Sequence, residues 1–289
     1  WHAGTGSLSI IANQLSNQTQ VANTAQVISN GQIQLQTQTL ESSGTVSAAG
    51  DLQITAQHAL AAHGTNVAAG SMTLQGESVD LSNSQTSTGQ GNLRVKATQG
   101  DVQTVKAKII SAAALDVQGT HLDNTQGLLQ AAQNLNLNVT ELNNSQGQIA
   151  TGQSLALQLQ GQLTNSGSLY AAKELAVTAA SINNSGSLYA GGNQTLTTTG
   201  QVSNSGTLAA QGNLSLSAAN LSATSTSVMA AGMAADGKLT GATAGTGALT
   251  ASTTSTLQSA GQVMATNGMS LSGAAVNLAN SQTGTTAGN

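Results

Sequence analysis

Cysteine, proline and phenylalanine are all missing from this 289-residue chain, and aromatic residues make up 1% of it. Without cysteine there is neither a disulfide framework nor a thiolate metal site. That absence does not point to the cytosol, because a chain exported unfolded also does better without thiols to cross-link in the periplasm. Without proline, every residue keeps the backbone N–H that a strand with neighbours on both sides requires. The shortage of aromatics leaves Leu, Ile, Val and Ala to fill the interior, which suits a narrow core better than a compact globule. No run of about 18 apolar residues occurs, so no candidate transmembrane helix is present. No charged and then apolar leader opens the chain, which starts at Trp1 rather than Met and reads as an internal excerpt of something longer.

Charge is scarce as well: 6% of residues, with 6 Lys and Arg against 10 Asp and Glu and a net charge of −4. A nucleic-acid binder needs a basic stripe to displace counterions, so that partner class is excluded. The nearest approach is Arg94, Lys96, Lys106 and Lys108, which reads as a solvated strand face. The acids are scattered, and Glu77 and Asp80 form the closest notable pair with nothing basic beside them in sequence. Clustered carboxylates of the kind a polysaccharide-cleaving β-helix enzyme uses are not visible, and neither is a Ser–His arrangement or a phosphate-binding Gly loop. His2, His58, His63 and His121 lack metal-ligand spacing, so no metal or other cofactor is expected.

What is present is repetition. Leu163–Ala171 reads LTNSGSLYA, Ile182–Ala190 reads INNSGSLYA and Val202–Ala210 reads VSNSGTLAA, with starts 19 and 20 residues apart. The series extends through Leu40, Leu60, Leu81, Val102, Leu122, Leu142, Leu163, Ile182, Val202 and Leu221 in steps of 19 to 21. A self-similarity of that length marks a solenoid. Within a unit a second apolar residue follows six or seven positions later (Val46, Val67, Leu129, Ile149, Leu169, Leu188, Leu208). An alternating pair comes next, as in Leu52 and Ile54 or Leu175 and Val177. Apolar–polar–apolar alternation is the period of a half-buried strand, and no helical spacing competes with it.

The expected fold is all-β: a right-handed parallel β-helix with coils of about 20 residues and three short strands per coil, running through 1–289 as a single repeat segment. Stacking explains the low charge, since a charge repeated coil after coil would repel itself. The region 222–256, rich in Ala, Gly and Thr, breaks the pattern and is expected to form degenerate coils or a loop; its 36 residues from Leu221 to Leu257 would fit two coils of about 18.

Asn83, Asn124, Asn144, Asn165, Asn184 and Asn204 stand two places after the first apolar residue. Equal parity directs them to an inward corner, where their amides could hydrogen-bond along the axis as a structural ladder. Gly127, Gly147, Gly167, Gly186 and Gly206 follow where the chain turns, a place for positive φ. Tyr170 and Tyr189 occupy matching outward positions, are expected to stack, and are candidates for surface binding. Arg94 should lie beside Asp116 and pair with it. Gln194 takes a position held by Leu in other units and should either bond corner backbone or bulge outward.

The alternation of L-x-N-S-G-x-L-x-A with G-N-L-x-L-x-A, intact at VSNSGTLAAQGNLSLSA from Val202 to Ala218, resembles the haemagglutinin repeats of the filamentous haemagglutinin family. These are exoproteins of bacterial two-partner secretion, and they include adhesins and effectors of contact-dependent growth inhibition. The resemblance covers about Leu40 to Leu221. Neither the family's Asn-Pro-bearing secretion domain nor its V-E-N-N boundary is in the chain. It implies a non-enzymatic rigid shaft of a secreted or surface-displayed protein, presenting an adhesive or toxic tip. Implied partners are an outer-membrane transporter during export and a target-cell receptor or glycan met through the parent protein. Direct glycan or protein binding by this segment is the alternative function, and a polysaccharide-degrading enzyme a remote one.

Overall fold

The computed structural model describes residues 2–4, 6–18, 25–239 and 247–286. They fall into two compact units, Trp1–Asn143 and Asn144–Asn289. Each unit is a parallel β-solenoid with a spacing of about 20 residues per turn and no helix among the described residues.

A turn has three short faces. In the first unit these are exemplified by Leu52–Ala56, Ala59–Ala62 and Thr65–Ala68. In other turns the first two faces run together as one bent strand, as in Leu8–Asn17, Ile33–Ser42 and Leu115–Asp123. Each face pairs in register with the same face of the next turn. Ile33, Leu52, Met72, Leu93, Leu115 and Leu135 form one inward column of the first unit. Leu155 and Leu175 open the corresponding column of the second, which continues through Gln194, Leu214, Leu249 and Met269. The alternating apolar pairs recognised in the sequence are buried throughout. At about 1.5–3 kcal/mol for each fully buried Leu, Ile or Val, these columns supply the driving force for stacking.

Two register expectations are corrected. Val79, not Leu81, pairs with Leu60 on one side and Val102 on the other. Leu81 shares its parity and is also buried, so it fills the inward corner that Asn occupies in later turns. Asn83 is thereby pushed out: it is exposed with φ 61°, and Lys106 and Gln126 at the stacked positions of the next turns take φ 56°. Asn is there because its short polar side chain tolerates the left-handed region. Val67 likewise faces outward, while Asn66 pairs with Val46 and is fully buried. Its Nδ2 donates to the Ala62 carbonyl and to Thr86 Oγ1, both at 3.1 Å.

The corner glycines are required for a different reason from the one expected. Gly167, Gly186 and Gly206 do not take positive φ. A Cβ on any of them would instead collide with the carbonyl oxygen of the glycine one turn before it. Close axial approach of backbone to backbone is what excludes a side chain.

The span from Leu221 to Leu257 is one turn, not two, because these residues pair directly. Strands Asn220–Ala223, Val228–Ala231 and Leu249–Thr253 keep the register. The chain leaves it at Gly232 and returns at Gly247, with φ of 79° and 81°. Both glycines abut buried Thr266, whose hydroxyl would collide with a Cβ on either. Residues 240–246 lie outside the described residues.

Gln194 neither bulges out nor bonds the corner. It sits inward between Leu175 and Leu214, fully buried, with both side-chain polar atoms lacking a partner. Gln194→Leu, of nearly equal volume, removes that desolvation cost and is expected to stabilise the chain by about 1–3 kcal/mol. Urea unfolding followed by circular dichroism reads this directly; a lower midpoint for the variant would contradict the inward placement.

Candidate functional site

The inward corner of the second unit carries an unbroken amide column. Asn144 Nδ2 donates to Asn165 Oδ1, Asn165 Nδ2 to Asn184 Oδ1, and Asn184 Nδ2 to Asn204 Oδ1, each at 2.8 Å. The same Nδ2 groups also reach corner carbonyls, Gly186 O at 3.2 Å from Asn184 and Gly206 O at 3.2 Å from Asn204. In the first unit the corner is mixed. Asn124 accepts from Thr104 Oγ1 at 2.9 Å and donates to Gly127 O at 3.3 Å, while Asn17 donates to Ser42 Oγ at 3.1 Å. Asn83 is outside this arrangement, for the register reason given above. All the column residues are buried, so these bonds satisfy groups that water cannot reach.

The charged residues meet partners one turn away that sequence spacing does not reveal. His58 Nδ1 lies 3.2 Å from Glu77, and His63 Nε2 3.1 Å from Asp80. The expectation that nothing basic accompanies Glu77 and Asp80 is therefore corrected, because residues about 20 apart become axial neighbours. His121 stands between Asp101 at 2.7 Å and Glu141 at 3.7 Å. Partial burial would raise the Asp80 carboxyl, but hydrogen bonds from Ser82 and the adjacent His63 outweigh it and hold the group below its ordinary range. No cluster of three or more metal-ligating side chains occurs among the described residues, and the His2 side chain is outside them.

Arg94 and Asp116 are in register but do not pair. Arg94 Nη2 reaches diagonally to Gln118 Oε1 at 3.4 Å, and Asp116 accepts from Asn136 Nδ2 at 2.8 Å. The Arg stem is longer than the axial spacing, and the amide is better placed for the carboxylate. The four bases lie on different parts of the turn: Arg94 and Lys96 on Leu93–Ala97, Lys106 at a corner and Lys108 on Lys108–Ser111.

The outer surface of the second unit holds the candidate site. Tyr170 and Tyr189 pair in register and their rings stack, with centroids 5.8 Å apart and planes 9° from parallel. Only Tyr170 is open to solvent, at 38% exposure. Tyr189, expected to be an exposed partner, is covered by the excursion that begins at Gly232, and its hydroxyl donates to the Met233 carbonyl at 3.1 Å. Met233 packs on Tyr189, Ala209 and Ala230, with Val228, Leu239 and Met264 around them. Between the tyrosines and the excursion is a groove of about 450 Å³. The sequence signals were the single 36-residue turn and the outward series Tyr189, Ala209, Ala230, whose small members leave room for a covering segment.

Haemagglutinin-repeat signatures match residues 3–42, 31–119, 86–167 and 157–240, and the chain belongs to this repeat family. It is a shaft segment of a two-partner-secretion exoprotein, secreted or exposed at the cell surface. Two relatives carry similar sequence. A tRNA nuclease CdiA-2 of Burkholderia pseudomallei (strain 1026b) is 41% identical over 76 residues, and a toxin CdiA of Yersinia pestis is 36% identical over 76 residues. Each match spans 26% of this chain and 2% of the relative. No solved structure matches. No helix of the described residues is long and apolar enough to cross a membrane.

Two outcomes follow from this geometry. Replacing Asn165, Asn184 and Asn204 by Ala removes the 2.8 Å amide bonds that join them, at about 1 kcal/mol each plus any stranded carbonyl. Because a turn contacts only its neighbours, amide hydrogen exchange should rise across the turns around these residues and stay unchanged near Leu52.

Burial, and then the neighbouring Tyr170 and Asp236, push the Tyr189 phenol above its ordinary value. A raised folded-state value means that the stability Tyr189 contributes is fully present below the unfolded-chain pKa of about 10 and is lost as pH climbs through the folded one. In Tyr170→Phe, which leaves a single Tyr, phenolate absorbance should titrate at higher pH in the folded chain than in urea; equal midpoints would contradict the cover over Tyr189.

Proposed function

We propose that this segment is a rigid spacer that holds an adhesive or toxic tip away from the producing cell. The tip would contact a target-cell receptor or glycan, and an outer-membrane transporter would deliver the chain during export. The observation that carries this reading is the register: within each unit every face stacks on the same face of the next turn, and in the second unit buried amides tie the corners together along the axis. A structure of that kind resists bending, because any bend must break hydrogen bonds on one side. Sequential addition of turns also suits a chain that folds as it emerges, since each turn needs only its predecessor as a template. The relatives named as a tRNA nuclease and a toxin favour a toxic cargo over adhesion alone. The role is mechanical and calls for no catalytic group.

A spacer is defined by length rather than by the identity of a turn. Deleting residues 52–71 joins Asp51 to Met72 at matching positions, since Leu52 pairs with Met72, and shortens the stack by one strand spacing of about 4.8 Å. Full-length parent protein with this deletion should be exported, resist protease at the surface and still engage its target. Loss of target binding by folded, surface-displayed protein would overturn the spacer reading and favour recognition by the segment itself.

A further inference from the structure

The outer face of the second unit carries a feature a spacer does not need. Ser168, Ser187 and Thr207 pair in register at outward positions, which sets three hydroxyls along the groove floor at about the strand spacing of 4.8 Å. They are half-buried, and none has a side-chain hydrogen-bond partner among the described residues. Tyr170 stands beside them with its ring open to solvent and held against Tyr189. Gln262 adds an amide, and Met233 and its neighbours in the excursion wall the other side. Among the described residues no charged side chain is part of the lining, although Asp236, between the lining residues Ala235 and Gly237, is near enough to act on the Tyr189 phenol and is itself ion-paired with Lys238 at 3.4 Å. Its volume of about 450 Å³ falls in the range of small-ligand sites.

A pre-stacked ring, a row of unengaged hydroxyls and an uncharged lining make up a complementary surface for one ligand chemistry: apolar C–H faces alternating with neutral hydroxyls. We infer that the groove between Tyr170 and the excursion following Gly232 binds an uncharged saccharide, with a pyranose ring against Tyr170 and its hydroxyls on Ser187 and Thr207. An anionic sugar or a phosphate would meet the field of Asp236, whose ion pair already engages Lys238. An apolar peptide would leave the hydroxyl row unpaired, at a cost in affinity. The tyrosine stack has a second consequence: it fixes the Tyr170 ring before a ligand arrives, so little ordering entropy opposes binding. This site is independent of the spacer reading, because a shaft with or without it would hold its tip at the same distance.

The test is saturation-transfer difference NMR on the 289-residue chain with methyl glucoside, methyl galactoside and N-acetylglucosamine, alongside N-acetylneuraminic acid and an apolar tripeptide. At least one neutral sugar should receive saturation at its ring protons, more strongly than the charged sugar or the peptide. Tyr170→Ala should weaken that binding by roughly threefold to tenfold, the worth of a stacked ring, and Tyr170→Phe should retain it. Thr207→Val, which keeps the shape of the outer face, should weaken it without lowering the melting temperature, and it serves if Tyr170→Ala does not fold. Three results would each overturn the assignment: no transfer to any neutral sugar, preference for the charged sugar or the peptide, or unchanged affinity in folded Tyr170→Ala and Thr207→Val.

Discussion

In-register parallel stacking is the constraint on which the other features depend. Each side chain has a counterpart in the same position of the next turn, about 4.8 Å along the axis, so a residue is selected for compatibility with that counterpart as much as for its own surroundings. Leu on Leu gives a dry column, as in Leu115 and Leu135. Asn on Asn gives a chain of amides in which each donates onward and accepts from the preceding one, as from Asn144 to Asn204. Gly under Gly gives the backbone clearance at Gly167, Gly186 and Gly206. Like charges have no such solution, and in the column of Asp101, His121 and Glu141 an imidazole separates the two carboxylates.

The same constraint explains how the interior accommodates polar residues. Asn66 enters the core of the first unit with its Nδ2 satisfied by Thr86 in the next turn, although its Oδ1 has no partner. Gln194 enters the core of the second without that provision, between two leucines that offer nothing. The two cases show that inward direction is dictated by strand alternation, and that neighbouring turns determine only how much of the buried group is satisfied, half of the amide at Asn66 and none at Gln194. A polar residue at an inward parity cannot leave the core unless the strand bulges, and the strand Gln194–Thr198 keeps its alternation instead.

The excursion at Gly232 shows how a uniform stack acquires an individual surface. Two left-handed glycines set side by side against Thr266 let the chain leave and re-enter at one corner, so the strands before and after it stay in register. The segment that leaves lies on Ala209 and Ala230, where the outward positions are small, and ends its cover against Tyr189. Stacking supplies stability and the excursion supplies shape, and neither compromises the other.

The sequence by itself determined the solenoid, the length of its turns, the three faces and nearly every inward residue, because these rest on short-range alternation and on a period readable along the chain. It also determined the inward parity that Asn124, Asn144, Asn165, Asn184 and Asn204 share. Only the tertiary structure decided where the register slips, placing Val79 rather than Leu81 in line with Leu60 and turning Asn83 out to a left-handed corner. A phrase such as LSNSQ resembles its counterparts in letters while sitting two residues away from them in space. The tertiary structure also decided which residues meet across turns. His58 with Glu77, Asp116 with Asn136 rather than Arg94, and Met233 on Tyr189 are contacts between residues 19, 20 and 44 apart in sequence. Local pattern carries the parity of such residues, but distance and side-chain reach across a stacked turn settle which of several neighbours each one touches.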